Sequence, residues 1–226
     1  MGSLKSFILP LGILLFPVVQ CDEVEEGCEV EEFYLNPEYS NYKIETLALL
    51  PMAYDDTTDS GTFYSTNHFY NRLSKEYDSF KLIDIDKIVA SDSIIIDNLL
   101  LTIRDSLRIN VDTFYTTDLG KFLKYNNCDA IIIGNVFEYF NYESIPNRYR
   151  WLNTTKETKA SFNYFMISLL DGSVLWAANV NGLSKYEYEL VFPPQPMLYP
   201  PLDEAISNGI DALLIKLRKE IILESK

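Results

Sequence analysis

The sequence predicts an α+β domain, a mixed sheet of about five strands covered by helices and closed by a long C-terminal helix. Three observations carry this. Residues 128–142, CDAIIIGNVFEYFNY, place apolar side chains at the consecutive positions Ala130, Ile131, Ile132 and Ile133, the mark of a strand buried on both faces. Residues 173–183 alternate instead, with Val174, Trp176, Ala178 and Val180 on one side and Asn179 and Asn181 on the other, as in an antiparallel strand with one wetter face. Leu202, Ile206, Ile210, Leu213, Leu217 and Ile221 recur at helical spacing and form one apolar stripe.

The elements follow in chain order. Residues 44–52, IETLALLPM, read as a buried strand with Pro51 at its end, where no ladder donor is needed. Residues 53–62 are a polar loop. Residues 63–77 are a helix with Phe69, Leu73 and Tyr77 toward the sheet. Residues 80–85 alternate as an edge strand, and Asp86 caps a short helix to Ser91. Residues 94–107 form a helix on Ile95, Leu99, Ile103 and Leu107. Thr116 or Thr117 caps a third helix, 118–125, which delivers the chain into the central strand. A turn-rich segment, 143–156, leads to a strand at 160–170, a turn at Asp171-Gly172 and the strand at 173–183. Five prolines between 190 and 201 exclude helix and central strand. Helices are expected on one face of the sheet.

Before this domain, 44–226, lie two other segments. Residues 1–21 read as an export signal, with Lys5 ahead of an uncharged apolar run at 7–19, FILPLGILLFPVV. That run is short for a membrane span of ~20 residues. Cys21 follows after Gln20 and is the candidate lipidation site; the alternatives are ordinary cleavage nearby or an uncleaved anchor. Residues 22–43 carry Asp22, Glu23, Glu25, Glu26, Glu29, Glu31 and Glu32 and read as an acidic flexible tether. It reaches at most ~70 Å at about 3.3 Å per residue.

The balance of 19 Lys+Arg against 33 Asp+Glu gives a formal net charge of -14. Nucleic acid wants a basic surface, so it is excluded as a partner. An acidic surface favours basic patches on partner proteins. With Cys21 acylated, Cys28 and Cys128 either pair in an oxidising compartment or remain two thiols; spacing leaves both open.

No cofactor or metal is expected, and the chain does not read as an enzyme. Its 9 glycines are scattered singly and its 1 histidine, His68, leaves no nucleophile–base pair. Asp55, Asp56 and Asp59 cluster in a loop, more as a solvated turn than as acid–base catalysts. Two loops are the candidate partner-binding sites. Arg148, Tyr149, Arg150 and Trp151 gather residue types that dominate interface energetics. Phe192, Met197 and Tyr199 sit on a proline-stiffened backbone that loses little entropy on binding. The competing reading for both loops is a lid folded onto the sheet.

Three segments carry a family resemblance. Residues 127–136, NCDAIIIGNV, resemble a strand of the envelope lipoproteins related to the curli-secretion protein CsgG and the penicillin-binding-protein activator LpoB, a fold shared by the TolB N-terminal domain. Residues 169–176, LLDGSVLW, resemble that group's hairpin without its Thr, and residues 47–51 resemble its opening strand. The resemblance implies a non-enzymatic lipoprotein of the bacterial cell envelope, facing the periplasm, at the outer membrane rather than the inner. Its partners would be an envelope protein and, through the lipid anchor, the membrane. Some members activate peptidoglycan synthases; others oligomerise into secretion channels, the alternative reading here. The motifs are structural, so no functional residue carries over.

Overall fold

Burial at four consecutive positions demands a layer on each side of the sheet, and the chain supplies both. The computed structural model describes residues 27–53, 61–76, 81–83, 93–144, 153–189 and 198–224. Its strands are β1 (Glu29–Leu35), β2 (Thr46–Leu49), β3 (Lys81–Ile83), β4 (Ala130–Ser144), β5 (Asn153–Ser168) and β6 (Val174–Glu189). Its helices are α1 (Gly61–Glu76), α2 (Ser93–Ser106), α3 (Val111–Phe114), α4 (Asp118–Tyr125) and α5 (Leu202–Glu224), with a 3₁₀ turn at Tyr39–Asn41. The strand order is β1-β6-β5-β4-β2-β3. β2 runs parallel to β3 and to β4, and the remaining pairs are antiparallel.

Helices cover both faces, not one as expected. On one face α1 and α5 pack Phe69, Leu73, Ile206, Ile210, Leu213 and Leu217 against Leu47, Leu49, Ala130 and Ile132. On the other, α2, α3 and α4 pack Leu99, Ile103, Phe114, Leu119 and Leu123 against Ala48, Leu50, Ile131 and Ile133. Topology gives the reason. The step from β2 to β3 moves one way along the sheet, and the step from β3 past β2 to β4 moves back. Parallel crossovers are right-handed, so the two steps place their helices on opposite faces.

The sheet has six strands rather than about five, because the segment expected to be a flexible tether enters it. β1 pairs with β6 from Glu29↔Asn181 to Leu35↔Trp176. Its acidic residues mask an inward set, Val30, Phe33 and Leu35, which packs on the core. Asn179 and Asn181 donate to Glu32 and Glu31, each at 2.7 Å. The charge run dominates the composition while the buried positions fall between its members.

Local chemistry explains the motif residues. Thr117 accepts the Gly120 N–H at 3.0 Å and starts α4. The Asp129 carboxylate accepts the N–H groups of Thr46 at 2.8 Å and Glu45 at 3.0 Å, pinning the entry of β2 beside β4. At Gly134 a Cβ would sit 2.5 Å from the Tyr164 ring, so only glycine lets that buried ring lie across the strand. The Asp171 carboxylate accepts the Ser173 hydroxyl at 2.7 Å and the Tyr42 hydroxyl at 2.9 Å, closing the β5–β6 turn.

The disulfide alternative is corrected. Cys28 and Cys128 are both buried thiols in separate clusters. Cys28 lies with Leu183 and Ala212 at the β6 end of the sheet, while Cys128 lies with Leu123 and Ile131 beside β4. Burial, the largest influence on Cys128, pushes its thiol up to about 12.

Candidate functional site

β4, β5 and β6 outrun the helical layers. Pairing of β4 with the β2 side ends at the Ala53↔Asn135 bridge. Pairing of β6 with β1 ends at Asn181. The three strands continue together to Ser144↔Thr155 and Asn153↔Glu189, making a three-stranded ribbon. Its β4 strand bulges between Val136 and Glu138. Bulges bend and twist a strand and mark where pairing changes.

One face of the ribbon is clasped by the chain entering α5. Thr158 donates to the Pro200 carbonyl at 2.6 Å, and Tyr188 to the Leu198 carbonyl at 2.7 Å. Ser184 and Tyr186 donate to the two oxygens of Glu204 at 2.7 and 2.6 Å. The bond to Glu204, the largest influence on it, pushes the Tyr186 phenol up to about 12. A Cβ on Gly182 would sit 2.0 Å from the Ala205 carbonyl, so glycine sets how closely α5 crosses β6. Lys156 lies over the Tyr199 ring, 4.3 Å from its centre, and 3.5 Å from Glu143.

The opposite face and outer edge present aromatics to solvent. Phe137 is 55% exposed, Phe140 47% and Tyr142 53%. Phe140 lies opposite Lys159, and Tyr142 opposite Glu157. Scattered exposed apolar residues are ordinary, but a contiguous set on one strand marks an interaction surface.

The structure gathers the boundaries of both candidate partner loops at one place. Ser144 and Asn153 bound residues 145–152; Glu189 and Leu198 bound residues 190–197. Asn153 pairs with Glu189, Ser144 with Thr155, and Tyr188 holds Leu198. All four boundaries therefore lie at the distal end of the ribbon. Of the predicted site residues, Tyr199 is half-buried under Lys156. Arg148, Tyr149, Arg150, Trp151, Phe192 and Met197 lie outside the described residues, as do Cys21 and the carboxylates Asp55, Asp56 and Asp59. So does the short helix expected from Asp86.

The ribbon itself escaped the sequence reading, which ended the last strand at Leu183 and started the one before it at Ala160. Its signal was the alternation Lys185-Tyr186-Glu187-Tyr188-Glu189 and the Thr-rich start of β5, both polar enough to read as turn. His68, which the sequence reading left without a catalytic partner, is partly buried. Its Nε2 lies 3.1 Å from Asp211, which also accepts Arg72 Nε at 2.9 Å, so the group ties α1 to α5. Among the described residues no three His, Cys, Asp or Glu side chains gather to hold a metal, and no helix is long and apolar enough to cross a membrane.

No family model and no curated protein matches the chain. Solved structures similar to it include bacterial lipoproteins. A PelC dodecamer from Paraburkholderia phytofirmans matches with TM-score 0.44 at 11% identity, over 83% of this chain and 94% of that one. A minor lipoprotein from Acinetobacter baumannii matches with TM-score 0.35 at 10% identity, over 81% and 95%. The C-terminal domain of LpoB from Salmonella enterica matches with TM-score 0.32 at 11% identity, over 68% and 93%.

Proposed function

We propose that the protein is a non-enzymatic lipoprotein of the bacterial cell envelope that binds another envelope protein through the distal end of the β4–β6 ribbon. The observation that carries this is the convergence of both loop boundaries on the paired residues Asn153 and Glu189. The segment after Ser144 carries Arg148, Tyr149, Arg150 and Trp151, and the segment after Glu189 carries Phe192 and Met197 and leads to Tyr199. Those residue types bury large areas and still offer polar groups. Arg148 and Arg150 make the first segment locally basic on a chain of net charge -14, which favours a partner with a matching acidic spot.

The anchor is Cys21, acylated after removal of residues 1–20 and facing the periplasm, at the outer membrane rather than the inner. Support comes from the apolar run ending at Cys21 and the acidic residues beyond it. Because β1 starts at Glu29 and Cys28 already lies against Leu183, the tether shrinks to residues 22–27. Seven steps at about 3.3 Å give a reach of roughly 23 Å instead of ~70 Å. The domain is thus held close to its membrane, near the base of the ribbon.

Two measurements test the reading. Labelled palmitate is expected in the wild-type chain and not in Cys21→Ala; equal incorporation in both contradicts the anchor. A photo-crosslinker at Tyr199 is expected to capture one discrete partner in cells, and one at Lys121 in α4 to capture none. Equal capture from both positions contradicts the ribbon surface.

A further inference from the structure

We infer that the sheet face opposite α5 binds an uncharged, N-acetylated glycan on the amides of Asn135, Asn163 and Asn179, a site distinct from the loop-bearing end of the ribbon. These three residues stand in one register row on three interior strands, Asn135 beside Asn163 and Asn163 beside Asn179. Glu32 of β1 closes the row. Residues two apart on a strand share a face. The row therefore continues the face of Ile131, Ile133, Phe165 and Ile167, the one on which α2, α3 and α4 pack. Glu138, Ser161 and Asn181 form the next row, and Phe140 and Lys159 stand in the one after.

Sheet packing does not call for these side chains. Asn is depleted in strands, because its amide competes with the backbone for hydrogen bonds. Fastening of β1 accounts for the asparagines of β6: Asn179 donates to Glu32 and Asn181 to Glu31, each at 2.7 Å. That fastening does not extend to β5 or β4. On β5 the Asn163 Oδ1 is shielded from solvent and has no partner among the described residues, where buried polar atoms are normally matched. Asn163 as a whole is only partly buried, and a half-turn of its amide exchanges that oxygen for the nitrogen. Asn135 is likewise partly exposed.

The chemistry selects the ligand. An amide offers both donors and an acceptor, the complement of an acetamido group and of sugar hydroxyls. Glu32 and Glu138, at opposite edges of the two rows, accept hydroxyl protons. Phe140 is 47% exposed and Tyr142 53%, and on this face they give the C–H side of a sugar ring an aromatic platform. Strands lie about 4.8 Å apart, so the four-strand row is ~14 Å long, room for a short oligosaccharide. Both charged groups in these two rows are carboxylates, which opposes a uronate, sialate or phosphate ligand.

The test uses the full chain in micelles of a zwitterionic detergent with no sugar headgroup. The probes are a chitin tetramer, a cellulose tetramer and a galacturonate tetramer. Affinity is read by calorimetry, and contact by shifts of the Asn side-chain amide signals in NMR spectra. The chitin tetramer is expected to bind at least about tenfold tighter than the other two and to move the signals of Asn135 and Asn163. Asn135→Ala and Phe140→Ala are each expected to weaken it at least about tenfold with the melting temperature kept. Tyr125→Ala, which removes an exposed aromatic on α4, is expected to leave affinity unchanged. If Asn135→Ala unfolds, Asn135→Asp keeps the shape, removes the donor and gives the same readout. No binding of the chitin tetramer, equal or tighter binding of another probe, or a loss in Tyr125→Ala as large as in Phe140→Ala each overturn the inference.

Discussion

Lys156 holds its ammonium 4.3 Å from the centre of the Tyr199 ring, across the ribbon face from the start of α5. Tyr199 is thereby the described member of the proposed partner surface whose position is fixed by a named contact. With the Lys156 side chain only 12% exposed, such a cation–π contact contributes about 1–2 kcal/mol. Tyr199→Ala is expected to lower the melting temperature by only a few degrees and to weaken partner binding far more. A thermal scan beside a binding titration checks this; a large loss of stability with binding kept marks Tyr199 as a lid residue only.

The Tyr164 hydroxyl is fully buried and finds no partner among the described residues, while its ring packs edge-on against Phe69 at 4.8 Å. Burial also raises its phenol pKa. Removing an unmatched hydroxyl relieves a desolvation cost of about 1–3 kcal/mol. Tyr164→Phe is therefore expected to be neutral or stabilising in urea unfolding. A loss above ~1 kcal/mol, the scale of one net hydrogen bond, means the hydroxyl is satisfied in solution.

Ile210 and Leu213 are fully buried on α5. Cutting a buried Ile or Leu to Ala costs about 2–5 kcal/mol, and a domain's whole stability is ~5–15 kcal/mol. Adjacent sites do not add strictly, yet Ile210→Ala with Leu213→Ala is expected to unfold most of the population. Circular dichroism at room temperature decides it, and melting within a few degrees of wild type contradicts the two-faced core.

Asp211 couples α1 to α5. Burial raises its carboxyl pKa, but the hydrogen bond and charge of His68 and the charge of Arg72 outweigh burial and leave it below the usual value. A depressed folded pKa means stability that is complete above the unfolded value of about 3.9 and is lost as pH falls through the folded one. Asp211→Asn is expected to cost of order 1 kcal/mol near neutrality, as a half-exposed pair does. The gap from wild type should hold from pH 7 to about 5 and close toward pH 2. Urea midpoints across that range measure it; a gap unchanged at low pH assigns the effect to packing instead.

Much of the fold was legible because single residues carry unambiguous physics. Apolar positions 130–133 announced the interior strand, the Thr116–Thr117 pair the cap of α4, and Leu202 to Leu217 the stripe of α5. Gly134 and Asp129 were visible as motif letters, but their jobs, clearing the Tyr164 ring and gripping Thr46, depend on neighbours distant in sequence. β1 was hidden because Glu29, Glu31 and Glu32 outweigh Val30 and Phe33 in composition while facing outward. The second helical layer was hidden because its placement follows from strand order, which periodicity does not encode. At the site, Arg148 to Trp151 lie outside the described residues. The ribbon that brings the boundaries of the two loops together was not legible, since polar alternation at 185–189 resembles a turn.

The most direct test of the ribbon surface compares two paired substitutions, Arg150→Ala with Trp151→Ala and Met197→Ala with Tyr199→Ala. Each is made in the full chain, and each sample is scored for melting temperature and for co-purification of the partner crosslinked at Tyr199. The predicted result is a melting temperature within a few degrees of wild type and loss of the partner in both pairs, because both loops leave the sheet at Asn153 and Glu189. A partner retained at wild-type level in either pair, or a collapse of stability in place of binding, contradicts it.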